Sequence, residues 1–543
     1  MNKSDLRRKV AELFIVRASG FNLDSQRLYP NLELPNAKLK RLLEEGVGGV
    51  IFFGGTVKEL EIRCQVLNQW AAKPILLSAD IEEGVGQRFY GGTNFIPPLG
   101  IAQIYKNDNS LGLSIAEKIG YFTAKEAKDI GLNWLLAPVC DINNNPNNPV
   151  INLRAWGEDP ETVERLTSAF LKGVSRSKIL TCAKHFPGHG DSEVDSHLDL
   201  PVIHNDLSNL SEFELIPFNS LINQGVSSIM IGHLFFPKID PIYPATLSKI
   251  LVNDLLRMKY KYDGLIVSDA LVMNAITNNY SSGSSALLAF NAGIDLIMMP
   301  KDIDEAINSL TDAFYSEKIS IERLNISRER RKKQLDLISN RKDFKKGEFM
   351  DEDIKKNFLS DSLRFSKSIV KKSIIVREEI SIKAANNHIN LIQIDNFEQA
   401  SSKFFPALNL PRLLGFRNLI IHPFHINKLP NNRQFLESEH IGNGKIFIQL
   451  FLRGKPFIGT KYNNEDWIYV IKKLEIEKRL SGVVIYGCPY LYEKIRQNIH
   501  EKIPLAYSPS QTDEAQNQTL KRIMKSNIFG NEFDEKSMNK FTD

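Results

Sequence analysis

Short apolar runs alternate with longer amphipathic stretches through the first part of this 543-residue chain. The runs fall at 13–16, 49–53, 74–79, 132–138, 179–184, 228–232, 265–268 and 295–299. Apolar residues at helical spacing occupy 37–45, 57–70, 113–130, 160–177, 206–224, 247–259, 284–292 and 303–313. Gly46, Gly131, Gly225, Gly264 and Gly293 each stand just before a run, as helix stops or turns. This alternation of strand and helix predicts a parallel α/β fold. A closed (β/α)8 TIM-type barrel is the natural solution at that count, with an open doubly wound sheet as the alternative. Polar residues at the carboxyl ends of different strands favour the barrel: Asp80, Asp141, Lys184-His185, His233 and Asp269. In a barrel, all those ends surround one pocket.

The texture changes after Ser316. The segment 321–346 is rich in Lys and Arg and has a helical pattern, which predicts a linker helix. Apolar runs return at 373–376, 389–394, 418–421, 445–451, 481–486 and 504–507. They predict a second, smaller α/β sandwich domain with few Asp, Glu or His residues at its strand ends. The expected layout is a TIM-type barrel over 1–320, a helical linker over 321–364, a C-terminal α/β domain over 365–530 and a polar, frayed tail over 531–543.

Composition narrows the classes. The net charge of +5 is small for the length. The basic run Arg328 to Lys333 predicts a solvated helix face rather than a nucleic-acid stripe, which would be longer and interleaved with aromatics. Cys64, Cys140, Cys182 and Cys488 are far apart and lack metal-site spacing, as expected of reduced, buried thiols. No signal-peptide core and no membrane-length apolar run is present, so the expectation is a cytoplasmic protein with neither nucleic acid nor membrane as partner.

Chemistry concentrates at 181–201, TCAKHFPGHGDSEVDSHLDLP. The apolar lead-in delivers Lys184 and His185 to a strand end. Pro187, Gly188 and Gly190 then enforce an irregular loop. Asp195 stands two residues from His197, close enough to raise imidazole basicity and fix its tautomer, which makes a general acid/base. A metal reading would use His185, His189, His197 and Asp191, but no ligand motif for it is present and the loop is loose. Asp269 ends an apolar strand and is followed by Ala270, Leu271, Val272 and Met273. It reads as a nucleophile or general base, with a helix N-cap as the plainer alternative. Arg88 and Arg154 carry fork-shaped groups suited to hydroxyls or a carboxylate. Asp80 could accept hydroxyl hydrogen bonds, and Trp156 could offer a sugar ring an apolar face.

These residues together resemble glycoside hydrolase family 3, most closely its bacterial β-N-acetylhexosaminidase branch. The resemblance lies in Lys184-His185-Phe186-Pro187-Gly188-His189-Gly190-Asp191 continuing to Asp195-Ser196-His197, and in Gly264 to Asp269 with Met273-Asn274-Ala275-Ile276. Ala245-Thr246-Leu247-Ser248 and Arg154 with Gly157-Glu158-Asp159-Pro160 add to it. The resemblance implies a retaining mechanism in which Asp269 attacks the anomeric carbon. Asp195 and His197 would form the acid/base dyad, with an imidazole replacing one of the two carboxyl groups that retaining enzymes generally place about 5–5.5 Å apart. Asp80, Arg88, Arg154, Lys184 and His185 match positions that bind a terminal N-acetylglucosamine, and no metal or organic cofactor is implied. The chain departs from the pattern at Glu83, Val85 and Ala270, which leaves the exact substrate open. The expected activity is exo-β-N-acetylglucosaminidase on carbohydrate such as peptidoglycan fragments. A β-glucosidase of the same family and a non-catalytic sugar-binding barrel are the alternatives. The segment 365–524 is similar to the family's second domain.

Overall fold

Eight short parallel strands follow the predicted runs: β1 (Phe14–Ser19), β2 (Gly49–Phe53), β3 (Leu76–Ala79), β4 (Trp134–Leu135), β5 (Cys182–Phe186), β6 (Ser228–Ile231), β7 (Leu265–Ser268) and β8 (Ile297–Met298). The computed structural model describes residues 2–192, 196, 198–338, 352–380, 387–394, 405–421, 441–453 and 465–524. The strands form two parallel sheets, ordered β4-β3-β2-β1-β8 and β5-β6-β7. Isolated parallel bridges, Trp134 to Leu180 and Val267 to Leu296, join residues at the margins of the two sheets. The strands are buried on both faces, which is why their sequences run apolar instead of alternating. One cluster takes a side chain from every strand: Ile15, Ile51, Leu76, Trp134, Cys182, Met230, Val267 and Met298. The indole of Trp134 donates to Ser228 Oγ at 2.9 Å, satisfying the polar edge of a fully buried ring.

The helices between the strands bury one stripe each. Gly46 and Gly131 end theirs at φ +111° and +94°, a region that a Cβ disfavours. Gly264 is different. Its φ is not positive, and it is required because a Cβ there would lie 2.2 Å from Tyr262 Oη. The stretch 206–224 forms two helices, Leu207–Glu212 and Leu215–Asn223. Pro217 explains the division, since its missing N–H is tolerated only in a first turn. Ile250–Lys259 is wound as a π-helix. A further helix, outside the predicted set, spans Pro98–Asn107 and opens on Pro98, which suits the first helical position.

The basic run corrects an expectation. In helix Ile321–Ile338, Glu329, Lys332 and Lys333 are exposed as expected, but Arg328, Arg330 and Arg331 turn inward. Arg331 is buried and donates to the carbonyls of Gly48 at 2.8 Å and Pro74 at 2.5 Å. Arg328 donates to Glu12 at 3.0 and 3.1 Å, and Arg330 reaches Asp295 at 3.3 Å. These partners directly precede β1, β2, β3 and β8, so the helix covers the amino ends of the strands.

The chain divides into two compact units, with the change at Ser366–Lys367. The second unit has a six-stranded sheet of β9 (Ile375–Arg377), β10 (His388–Ile394), β11 (Arg417–Ile421), β12 (Lys445–Leu452), β13 (Leu480–Gly487) and β14 (Leu505–Ser508). Its order is β11-β10-β12-β13-β14-β9, parallel except for β9 against β14. Apolar clusters cover both faces: one packs Trp467, Ile471, Leu491 and Ile495, the other Ala407, Leu410, Leu520 and Ile523.

Candidate functional site

The carboxyl ends of β3, β4, β5, β6 and β7 carry Asp80, Asp141, Lys184-His185, His233 and Asp269 in the order the sequence predicts. Lys184 is fully buried, and its Nζ lies 2.7 Å from Asp80 Oδ1 and 2.7 Å from Glu82 Oε1. Arg154 closes a two-pronged pair on Glu82, Nε to Oε2 and Nη2 to Oε1, both at 2.8 Å. Arg88 donates its Nε to the Asp80 carbonyl at 3.1 Å and holds a guanidinium nitrogen 3.8 Å from Asp80 Oδ2. Buried charges survive only when paired and hydrogen-bonded, and this network meets that condition for each member.

The network fixes protonation states. Burial alone would raise the Asp80 carboxyl, but Lys184 and Arg88 outweigh it and hold the group below its ordinary value. Burial likewise opposes ionisation of Glu82, and Arg154 and Lys184 reverse it, leaving that carboxyl well below the carboxylate range. Burial would lower the Lys184 ammonium, while Asp80 and Glu82 carry it upward. All three are therefore charged at neutral pH.

Glu82 was not singled out among the sequence candidates. The signal for it was chemical: a lysine ending a buried strand needs carboxylates, and Asp80 alone leaves Arg154 without one. The fork of Arg154, expected to face a ligand, is filled by Glu82. Trp156 also differs from expectation. It is buried and packs its ring 5.5 Å from that of Phe170, so it offers no stacking face.

Asp141 is buried beneath the β5 loop. Its Oδ2 lies 2.7 Å from His185 Nδ1, and its Oδ1 accepts from the backbone N–H of His189 at 2.7 Å. Burial raises this carboxyl, and His185 and His189 bring it below its ordinary value. His189 has both ring nitrogens engaged, with Ser192 Oγ at 2.7 Å and Ser196 Oγ at 3.1 Å. Burial pushes the His189 imidazole down to about 4 despite Asp141, so the ring is neutral at pH 7. Asn148 ties the loop to the strand β4 side, donating to the carbonyls of His189 and Gly190, both at 2.8 Å. Asp191 is exposed. Among the described residues, no group of three or more His, Cys, Asp or Glu side chains could hold a metal ion.

Asp269 is half-buried and sits on a tight turn: its Oδ1 accepts from Ala270 N at 2.7 Å, and its own N–H donates to Ile231 of β6 at 3.0 Å. The next helix begins only at Asn274, so Asp269 is not its N-cap. His233 braces the turn, with Nε2 3.0 Å from the Ala270 carbonyl and Nδ1 2.7 Å from Thr246 Oγ1. A carbonyl only accepts, so Nε2 carries a proton. Burial pushes the Cys182 thiol up to about 12; Ser228 and Lys184 oppose this, while Asp80 and Asp269 add to it. Asp195 and His197 lie outside the described residues. Ser196 between them is described and buried.

The sequence profile of the glycosyl hydrolase family 3 N-terminal domain matches residues 5–333, and that of the bacterial glycosyl hydrolase family 3 C-terminal domain matches residues 381–525. A beta-hexosaminidase of Hydrogenovibrio crunogenus is 31% identical over 297 residues, covering 53% of this chain and 81% of its own length. One from Tolumonas auensis is 35% identical over 274 residues, covering 49% of this chain and 79% of its own. Among solved structures, a family 3 beta-N-acetylglucosaminidase from Paenibacillus sp. str. FPU-7 superposes with a TM-score of 0.72 at 25% identity, over 95% of this chain and 96% of its own.

Proposed function

This chain belongs to glycosyl hydrolase family 3 and is a glycoside hydrolase, and from that premise we propose that it removes terminal β-linked N-acetylglucosamine with Asp269 as nucleophile. The relatives named beta-hexosaminidase and the beta-N-acetylglucosaminidase structure support the sugar. The observation that carries the reading is the charged set at the strand ends: a half-buried carboxylate, Asp269, closes β7 in the same parallel sheet as β5, whose end carries Lys184 and with it Asp80, Glu82 and Arg154.

In this reading the two sheets are the arcs of one eight-stranded barrel, supported by the bridges between them and by the shared interior cluster. The site then lies at the carboxyl face. Asp80, Arg88, Lys184 and His185 hold the hydroxyls of the terminal sugar. Arg154, its Nε and Nη2 held by Glu82, meets the ligand through Nη1. Asp269 attacks the anomeric carbon and forms a glycosyl-enzyme ester as the leaving oxygen departs with a proton from His197. His197 then takes a proton from water, which releases the sugar with retained configuration. Asp195 orients His197. An imidazole acid suits this site because a second carboxylate would repel Asp269. The reaction needs no metal or organic cofactor.

Peptidoglycan fragments are the proposed natural substrate and the cytoplasm the proposed compartment. Four buried thiols without disulfides support a reducing compartment. No described helix is long and apolar enough to cross a membrane. Trapping with a fluorinated N-acetylglucosamine analogue, followed by peptide mapping, is expected to label Asp269. A label on any other carboxylate overturns the assignment. Comparing an aryl N-acetylglucosaminide with an aryl glucoside separates this reading from a β-glucosidase.

A further inference from the structure

His185 approaches the site with one of its two ring nitrogens already committed. Asp141, fully buried at the end of β4, spends its four nearest contacts on the β5 loop. Oδ1 accepts from His189 N at 2.7 Å and His185 N at 3.1 Å. Oδ2 lies 2.7 Å from His185 Nδ1 and 3.2 Å from His185 N. The carboxyl is ionised, and an ionised carboxylate only accepts, so Nδ1 carries the proton. In the neutral ring, the lone pair is then on Nε2. That nitrogen faces away from Asp141 and has no partner among the described residues. The ring cannot turn over without abandoning Asp141. It is also hemmed in by the His189 ring, edge-on at 5.9 Å, and by the backbone of Gly232, where a Cβ would lie 3.0 Å from His185 Cβ.

We propose that Asp141 is a positioning residue that fixes His185 as a hydrogen-bond acceptor, so that the site selects a sugar with a ring hydroxyl donating to His185 Nε2. This rests on the reading of the chain as an N-acetylglucosaminidase. Lys184, Arg154 and Arg88 are all donors, so a sugar hydroxyl that meets only them finds no acceptor for its proton. With Nδ1 held on Asp141, the neutral ring of His185 supplies one at Nε2, beside the carboxylate of Asp80. The consequence is a rule about the substrate: at one ring position, the oxygen must carry a hydrogen. A deoxy sugar and a deoxyfluoro sugar fail alike there, because fluorine does not donate.

Asp141→Asn inverts the arrangement. The amide oxygen has to stay on the two backbone N–H groups of His185 and His189. The amide nitrogen then faces Nδ1 and donates to it. The ring proton moves to Nε2, which turns from acceptor to donor.

The test is kcat/KM for aryl N-acetylglucosaminides carrying hydroxyl, hydrogen or fluorine at the 3, 4 or 6 position. In the wild type, at one position, the deoxy and deoxyfluoro compounds are expected to be slower than the parent by the same factor, about 10- to 100-fold, the scale of an unmatched buried hydrogen bond. In Asp141→Asn, the fluoro compound is expected to overtake the deoxy one at that position by severalfold. A uniform drop for all compounds would make Asp141 merely structural and overturn the proposal. So would a wild type in which fluoro already outruns deoxy. If Asp141→Asn does not fold, the wild type still decides: in 15N-histidine spectra, His185 is expected to show a proton on Nδ1 and none on Nε2 in the neutral ring, and the reverse refutes the proposal. If the wild type leaves the parent N-acetylglucosaminide intact but cleaves glucosides, the substrate reading has failed, and the deoxy series is run on the glucoside to judge Asp141 separately.

Discussion

The two ends of the strands in the first unit are equally rich in buried charge, yet they differ in what those charges leave open. At the amino ends, Asp295 is fully buried and saturated. It takes Arg257, Arg323 and Arg330, the Ser327 hydroxyl at 2.7 Å and the Ile266 N–H at 3.1 Å. Glu12 is shared by Arg328 and Lys73, and Arg331 gives Nη2 to two backbone carbonyls while its Nε stays buried. At the carboxyl ends, the network is also paired, but capacity remains. The Arg88 side chain keeps 34% of its surface exposed, and His185 Nε2 has no partner among the described residues. Buried charge marks both a plug and a site. Access separates them: the unpartnered Nε atoms of Arg257, Arg330 and Arg331 are sealed in the plug, whereas the spare capacity at the carboxyl ends sits on groups that a ligand can meet.

The largest effect expected from breaking this contrast is at Asp269. Asp269→Ala should reduce turnover of an aryl N-acetylglucosaminide by about 10⁴-fold or more, the scale of removing a member of a catalytic set. Far-UV circular dichroism should show the variant folded, so that the loss belongs to the chemical step. Activity that survives undiminished removes Asp269 from the mechanism. The converse is expected at the other end. Asp295→Ala strands three arginines and should cost about 3–5 kcal/mol of stability, while kcat per folded molecule stays the same. Denaturant unfolding paired with active-site titration would measure both. A selective loss of kcat in that variant would dissolve the distinction between the two ends.

A third carboxylate sharpens the contrast because it has neither saturation nor a site. Glu126 is buried and accepts from Thr93 N at 2.8 Å, while its other oxygen is without a partner. Burial pushes it up to about 7, against the Thr93 hydrogen bond. Its folded value lies above its unfolded one, so its contribution to stability is complete below pH 4.5 and is lost as pH rises through about 7. Glu126→Gln keeps the acceptor and removes the titration. It should flatten the stability profile between those pH values and be more stable than the wild type above pH 7, by about 2–3 kcal/mol. Identical profiles for the two proteins would mean that Glu126 is hydrated.

Much of this organisation was legible in the chain. The runs that became β2 and β7 match residue for residue, because a strand covered on both faces announces itself as unbroken Val, Ile, Leu and Phe. Lys184, His185, Asp80 and Asp269 were legible as strand-end polar residues. Helix Ile321–Ile338 was not legible as a cap. Its arginines look the same in sequence whether they meet water or the carbonyls of Gly48 and Pro74. Trp156 could not be placed, since burial of an aromatic is decided by what packs on it, here Phe170. Glu82 was hidden for a related reason: a glutamate beside two glycines and a second glutamate reads as surface until Lys184 and Arg154 are known to converge on it.

That convergence gives the smallest expected effect and the most discriminating one. Glu82 touches two cations that the mechanism uses and, in this reading, no substrate atom. Glu82→Gln preserves shape and one acceptor while removing the charge that Lys184 and Arg154 share. Asp80 remains within 2.7 Å of Lys184, so the lysine keeps one counter-ion and the fold survives. Arg154 loses its fork partner and swings, with the Val150 carbonyl at 3.3 Å as its nearest alternative. KM should therefore rise about 10-fold, with kcat within a few-fold of wild type, since binding geometry suffers more than the attack by Asp269. A drop confined to kcat would instead place Glu82 among the reacting groups, and the carboxyl ends would then hold one more open valence than the hydrogen bonds display.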